Sequence, residues 1–303
     1  MLNTRESRTK FNNAWPARFL SPTEESLVQR LAKNNVESVF LPVQIKHSDS
    51  HDFQTLLSHC IDSLDYLPLR PDFSFDQIWK ALDAEFFRLK ASPGTSSSQS
   101  RFSVFSAHIL ASSFTSNSHY TLAAHIPLQT CEFFAKRILD SVANPNEHSE
   151  AFTKRVENTL GVGLLSDIHI KYDNEWLVPD KRAGTQRKLG GLLKLIIAGK
   201  QVALGTNSYQ LSADQVDRLM ISTILPQFRN ERFHGSVRTP FRSSKATLKT
   251  YAHAYFLSIY AYSLMCEIFL YREFGVVQSA DVLATTNENL NRFLQVFGDQ
   301  VSA

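Results

Sequence analysis

Cysteine is scarce in this chain of 303 residues: Cys60, Cys131 and Cys266 stand far apart. No CxxC pair exists, and the odd count suits neither a zinc site nor a disulfide framework. They read as reduced core residues of a cytosolic protein. Glycine-rich phosphate loops are missing too. There is no G-x-x-x-x-G-K-[ST] and no G-x-G-x-x-G; Gly161-Val162-Gly163 lacks the third glycine and the strand-turn-helix setting of a dinucleotide loop. Without a G-x-S-x-G elbow, a serine hydrolase has no nucleophile to stand on. Met1 to Phe19 holds no apolar core segment, which predicts no signal peptide. The longest apolar run, Ala252 to Leu270, carries His253, Ser258, Ser263 and Glu267. That polar load predicts a buried helix and not a membrane span. No cofactor and no metal is expected.

What is there is an ordinary globular composition, 43% hydrophobic and 20% charged, with 22 phenylalanines to fill a core. The length suits two domains, or one with a large extension. We divide it into an N-terminal accessory or regulatory region, 1–125, and a helical domain, 126–303. Net charge is only +3, but it is uneven. Lys181 to Lys200 holds six Lys/Arg and no Asp/Glu; Phe228 to Lys249 holds six against the single Glu231. Such blocks point to a polyanion partner or to a solvated face.

The periodicity is mainly α, with a few short strands expected in the N-terminal extension. Ser21 and Glu24 form a capping box, as do Ser74 with Gln77 and Ser212 with Gln215. After Ser74, the residues Phe75, Ile78, Trp79, Leu82, Phe86 and Leu89 share one helical face. Val39 to Ile45 reads as a short strand broken by Pro42, and Asp167 to Tyr172 as a brief strand or extended loop. Ser92 to Ser100 is a flexible loop. Helices are also expected from Cys131 to Val142, ended by Asn144-Pro145-Asn146, over Ser149–Leu160 and Leu189–Ile197, and near Glu288–Phe297. The longest helix, about Ser244 to Glu273, carries Leu248, Ala252, Tyr255, Ile259, Tyr262, Cys266 and Phe269. Their alternating spacing of four and three predicts the seam of a bundle or of a helix-helix dimer.

One stretch combines the residues that phosphodiester chemistry needs. Phe228 to Arg238, FRNERFHGSVR, follows an apolar helix that Pro226 kinks or restarts, and Gly235 suits a helix C-terminus just past His234. A histidine titrates in the range for moving protons. An arginine grips phosphate oxygens with a planar fork and keeps its charge. A neighbouring asparagine can orient either partner.

Arg229-Asn230-Glu231-Arg232-Phe233-His234 resembles the R-x4-H motif of the HEPN ribonucleases, including the polar residue after the arginine and the glycine after the histidine. The resemblance covers about half the chain, Cys131 to Phe274, and leaves the N-terminal half unexplained. It implies an antiparallel helical bundle that dimerises so that two motifs face each other across a two-fold axis. His234 would then be the general acid or base, Arg229 would hold the transition-state phosphate and Asn230 would orient. Arg232, Arg238, Arg242 and Lys245 would contact the RNA backbone. Cleavage by the 2'-hydroxyl needs no metal and leaves 2',3'-cyclic phosphate and 5'-hydroxyl ends. The resemblance also implies a toxin or anti-phage role in the cytoplasm, under an antitoxin or other regulatory partner.

Rival sites are weaker. His47 and His51, with Asp49 and Asp52 beside them, have the spacing of a metal pair but read as a solvated turn. Asp167 and His169 could point the same way with nothing to complete a ligand set. His253 reads as a core or interface histidine near the motif. The rival from another class is a non-catalytic helical module that binds nucleic acid, nucleotide or a partner protein.

Overall fold

Helix follows helix in the computed structural model, which describes residues 4–302 apart from 15, 18, 144, 146, 234–240, 242 and 244. The N-terminal half holds α1 (Thr4–Asn13), α2 (Pro22–Lys33), α3 (His51–Leu64), α4 (Pro71–Lys90), α5 (Arg101–Phe105) and α6 (Ser118–Ala123). Then come α7 (Leu128–Ala143), α8 (Glu147–Leu160), α9 (Val162–Trp176) and α10 (Arg182–Ile197). A two-stranded antiparallel hairpin, β1 (Val202–Leu204) and β2 (Asn207–Tyr209), pairs Ala203 with Ser208. The chain ends with α11 (Ala213–Leu219), α12 (Leu225–Phe233), α13 (Leu248–Tyr271) and α14 (Ser279–Ser302). The fold is mainly α.

Helix α13 is the axis around which the rest packs. A helix that is apolar all round must be enclosed, and every residue from Tyr251 to Leu270 is buried. It is long and apolar enough to cross a membrane, but its apolar window is 94% buried inside the protein. The expected seam of seven residues is therefore one side of a helix that is covered on all sides, chiefly by α4, α14, α7 and α6. Its polar groups find partners there: Ser258 lies 3.3 Å from Ser74, and the Ser263 hydroxyl donates to the Tyr260 carbonyl. Apolar side chains from both sides of residue 125 belong to one continuous core. Cys60, Cys131 and Cys266 are free and buried within it.

The two strands expected earlier in the chain are not strands. Val39, Phe40 and Val43 are buried. Their backbone, however, bonds to side chains instead of to a second strand. The Leu41 N–H donates to Asn289 at 2.7 Å, the Asn289 amide returns a bond to the Leu41 carbonyl, and the Val43 N–H donates to the Tyr262 hydroxyl. Those bonds satisfy an extended segment without a sheet. Asp167 to Tyr172 lies inside α9, whose buried Leu164, Leu165, Ile168, Tyr172 and Trp176 follow a helical period; Ile170, which made the pattern alternate, is exposed.

The capping boxes of Ser21 and Ser212 are formed. That of Ser74 is not, because α4 starts a turn earlier with Pro71 in its first turn, where the missing N–H costs nothing.

Candidate functional site

Residues 213–233 run as one helical rod, α11 into α12, with a wider π turn at Met220–Ile224 between them. Pro226 follows that turn at once. A proline removes an N–H donor from the ladder and crowds the preceding turn, and a π turn is one way a helix absorbs such a fault. The expected disturbance at Pro226 therefore falls just before it. The described part of the rod runs to Phe233, and Arg229 and Asn230 stand in its last two turns. His234, Gly235, Arg238 and Arg242 lie outside the described residues.

Packing holds this helix end from both flanks. Phe228 is buried edge-on against Phe75, with ring centroids 4.9 Å apart, and against His253 at 5.0 Å. On one flank Glu231 pairs with Arg137 of α7 and accepts from Gln227. On the other, Arg232 reaches α4. Its Nε and one terminal nitrogen grip both oxygens of Asp76 at 3.0 and 2.6 Å, and the other meets Asp72 at 2.8 Å. Asp72 is fully buried and is also gripped by Arg70 through two bonds of 2.9 and 2.8 Å. Burial pushes the Asp76 carboxyl up, against the opposing pull of Arg232. Arg232 is therefore not one of the backbone contacts expected of it: both faces of its fork are taken by carboxylates.

Arg229 is different. Its guanidinium lies over the Phe233 ring, 4.4 Å from the centroid, and donates to the Asn230 side-chain oxygen at 3.2 Å. Its Nε is buried without a hydrogen-bond partner, and no carboxylate pairs with it among the described residues. The sequence order that put Arg229 and Asn230 side by side thus produces one cluster: a stacked, oriented, uncompensated cation and an amide. Lys245 is exposed on the far side of the undescribed segment, near Phe241. Phe241 itself is fully buried against Tyr251, with ring centroids 4.3 Å apart.

His253 answers as the core residue it was expected to be. It hydrogen-bonds Thr130 at 2.9 Å and packs between Phe133 and the edge-on Phe228. Burial, with the nearby Arg232 charge, pushes it down to about 3, so it is neutral across the working range. The metal pairs dissolve as well. His47 and Asp49 bond each other at 2.9 Å on the surface, while His51 opens α3. Asp167 accepts from Asn207 and Tyr209, and His169 pairs with Asp173. No cluster able to hold a metal ion occurs among the described residues.

A second polar centre has no counterpart in the sequence reading. His119 is fully buried at the start of α6, and its Nε2 lies 3.0 Å from Asp217 on α11. Its Nδ1 lies 3.8 Å from Glu267 on α13. Glu267 is also fully buried and accepts four bonds, two each from Ser116 and Ser118, at 2.6 to 3.1 Å. Burial alone disfavours the imidazolium, but the bond to Asp217 and the closeness of Glu267 overcome it, and His119 is pushed up to about 9. Three helices contribute one residue each, so no local spacing could reveal the cluster. The single sequence signal was Glu267 inside an apolar helix.

The chain has no significant match among family models, curated proteins or solved structures.

Proposed function

We propose that the chain is a metal-independent endoribonuclease of the HEPN type, with Arg229, Asn230 and His234 as its reacting groups. The observation that carries the reading is the division of labour at the end of α12. Glu231 and Arg232 are consumed by ion pairs, whereas Arg229 has no carboxylate partner among the described residues. A partly buried guanidinium without a counter-ion favours an anion, and Asn230 already orients this one.

In the proposed reaction a 2'-hydroxyl oxygen attacks the adjacent phosphorus and the bond from phosphorus to the 5'-oxygen breaks. His234 takes the hydroxyl proton or protonates the leaving oxygen, and the opposite role falls to the second His234 of a homodimer. Arg229 neutralises the charge that builds on the phosphorane oxygens. Arg238, Arg242 and Lys245 hold the strand through its phosphates. A toxin or anti-phage role in the cytoplasm, restrained by a regulatory partner, completes the reading.

The test is cleavage of a mixed RNA pool in EDTA by the wild type beside His234→Ala and Arg229→Ala. Cutting by the wild type to cyclic-phosphate ends, lost by about two orders of magnitude or more in each variant, supports the reading. Equal cutting by all three sinks it. RNA binding without cutting by any of the three favours the non-catalytic helical module.

A further inference from the structure

On the opposite end of the α11–α12 rod from Arg229 lies a cavity of about 680 Å³. That volume is in the usual range for small-molecule sites, roughly 300–1,000 Å³. Its walls come from α5, α6, α8 and α11 together with two π turns, Ser106–Leu110 and Met220–Ile224. Such turns are rare and gather at functional sites; this cavity is lined by residues from both.

One wall carries a buried, hydrogen-bonded carboxylate. Asp217 lines the cavity yet is only 4% exposed, and its burial is compensated by His119 at 3.0 Å from one oxygen and the Tyr260 hydroxyl at 3.4 Å from the other. Tyr120, Asp214, Arg155, Arg218 and Phe102 line the cavity as well. Arg155 is the telling residue. Its Nε is buried with no hydrogen-bond partner, and its guanidinium lies over the Phe152 ring, 6.0 Å from the centroid. Neither it nor Arg218 has a carboxylate within ion-pair distance among the described residues. Arg101, the third guanidinium at the wall, is already paired with Asp83 at 3.0 Å. Uncompensated arginines recognise phosphate or carboxylate through paired bonds. Two carboxylates in the same cavity require hydrogen-bond donors on the same ligand. Tyr120 and Phe102 offer aromatic surface to a flat ring.

We propose that this cavity binds a mononucleotide, its phosphate on Arg155 and Arg218, its hydroxyl or amino donors on Asp217 and Asp214, and its base against Tyr120 or Phe102. Size, uncompensated cations, acceptors and aromatic surface meet in one place, and a nucleotide is the common small molecule that uses all four. The assignment is independent of the ribonuclease reading, since none of these residues belongs to the motif.

The experiment is isothermal titration of the full chain with the four 5'-nucleoside monophosphates, with the matching nucleosides and inorganic phosphate as separate arms. The expected result is saturable one-to-one binding of at least one monophosphate, weakened about tenfold or more by Arg155→Gln and by Arg218→Gln. Neither arginine holds an ion pair, so both variants should melt at the wild-type temperature, which shows that the loss is not unfolding. Binding of none of the four overturns the proposal. So does a nucleoside or free phosphate that binds as tightly as the monophosphate, or monophosphate binding that both variants keep.

Discussion

Two arginines three positions apart, Arg229 and Arg232, lie near one face of α12 but meet different fates, because carboxylates of α4 stand within reach of only one of them. Arg232 faces α4 and closes on Asp72 and Asp76; Arg229 does not. Removing each should therefore read out differently. Arg232→Met leaves the buried Asp72 with Arg70 alone and should lower stability by about 3–5 kcal/mol in denaturant titrations. Arg229→Ala should leave the midpoint within about 0.5 kcal/mol while abolishing RNA cleavage. If Arg229→Ala unfolds the protein, its free guanidinium is structural after all.

Gly190 tests packing at the same scale. A methyl group there would lie 3.0 Å from the Glu132 backbone nitrogen on α7. Backbone cannot rotate aside, so Gly190→Ala should cost about 1–3 kcal/mol despite raising helix propensity. A stabilised variant would refute the close approach of α7 and α10.

At the scale of the element, α13 is the most strongly enclosed helix, and the β1–β2 hairpin is largely exposed. Amide exchange followed by mass spectrometry should be slowest over Tyr251–Leu270 and far faster over Val202–Tyr209, because opening α13 requires the whole core to open. Comparable rates would show that α13 is not the axis. The cluster beneath α6 and α11 makes a pH prediction. His119 has a folded pKa of about 9 against an ordinary value of 6.5. A raised pKa stabilises fully below the unfolded value, and that stability is lost as pH climbs through the folded one. Melting temperature should therefore fall between about pH 6.5 and 9, and His119→Gln should flatten that slope while lowering stability throughout. An unchanged slope in the variant would mean that the imidazole is neutral in the fold.

At the scale of the whole molecule, the division at residue 125 meets a core that runs across it. Helix α4 supplies both the carboxylates that hold Arg232 and a face of the cover over α13. A fragment of residues 126–303 would expose that face of α13 to water. Expressed alone, it should aggregate or show no cooperative melting transition. A folded, cooperative fragment would make the N-terminal region a true accessory.

Much of this molecule was legible from one-dimensional patterns, because helix periodicity, capping boxes and proline positions act over a few residues. The mainly α fold, the face of α4, the core role of the three cysteines and the closeness of Arg229 to Asn230 all follow from such local rules. What the tertiary structure alone decided was where polar groups find their partners. Val39–Ile45 became coil because Asn289 and Tyr262, more than 200 positions away, supply its hydrogen bonds. Arg232 became an ion-pair anchor because α4 brings Asp72 and Asp76 to it. The buried His119–Asp217–Glu267 centre and the cavity above it exist only because three helices converge. A hydrogen bond or ion pair is set by distance in space, and spacing along the chain encodes that distance only within a turn or two of one helix.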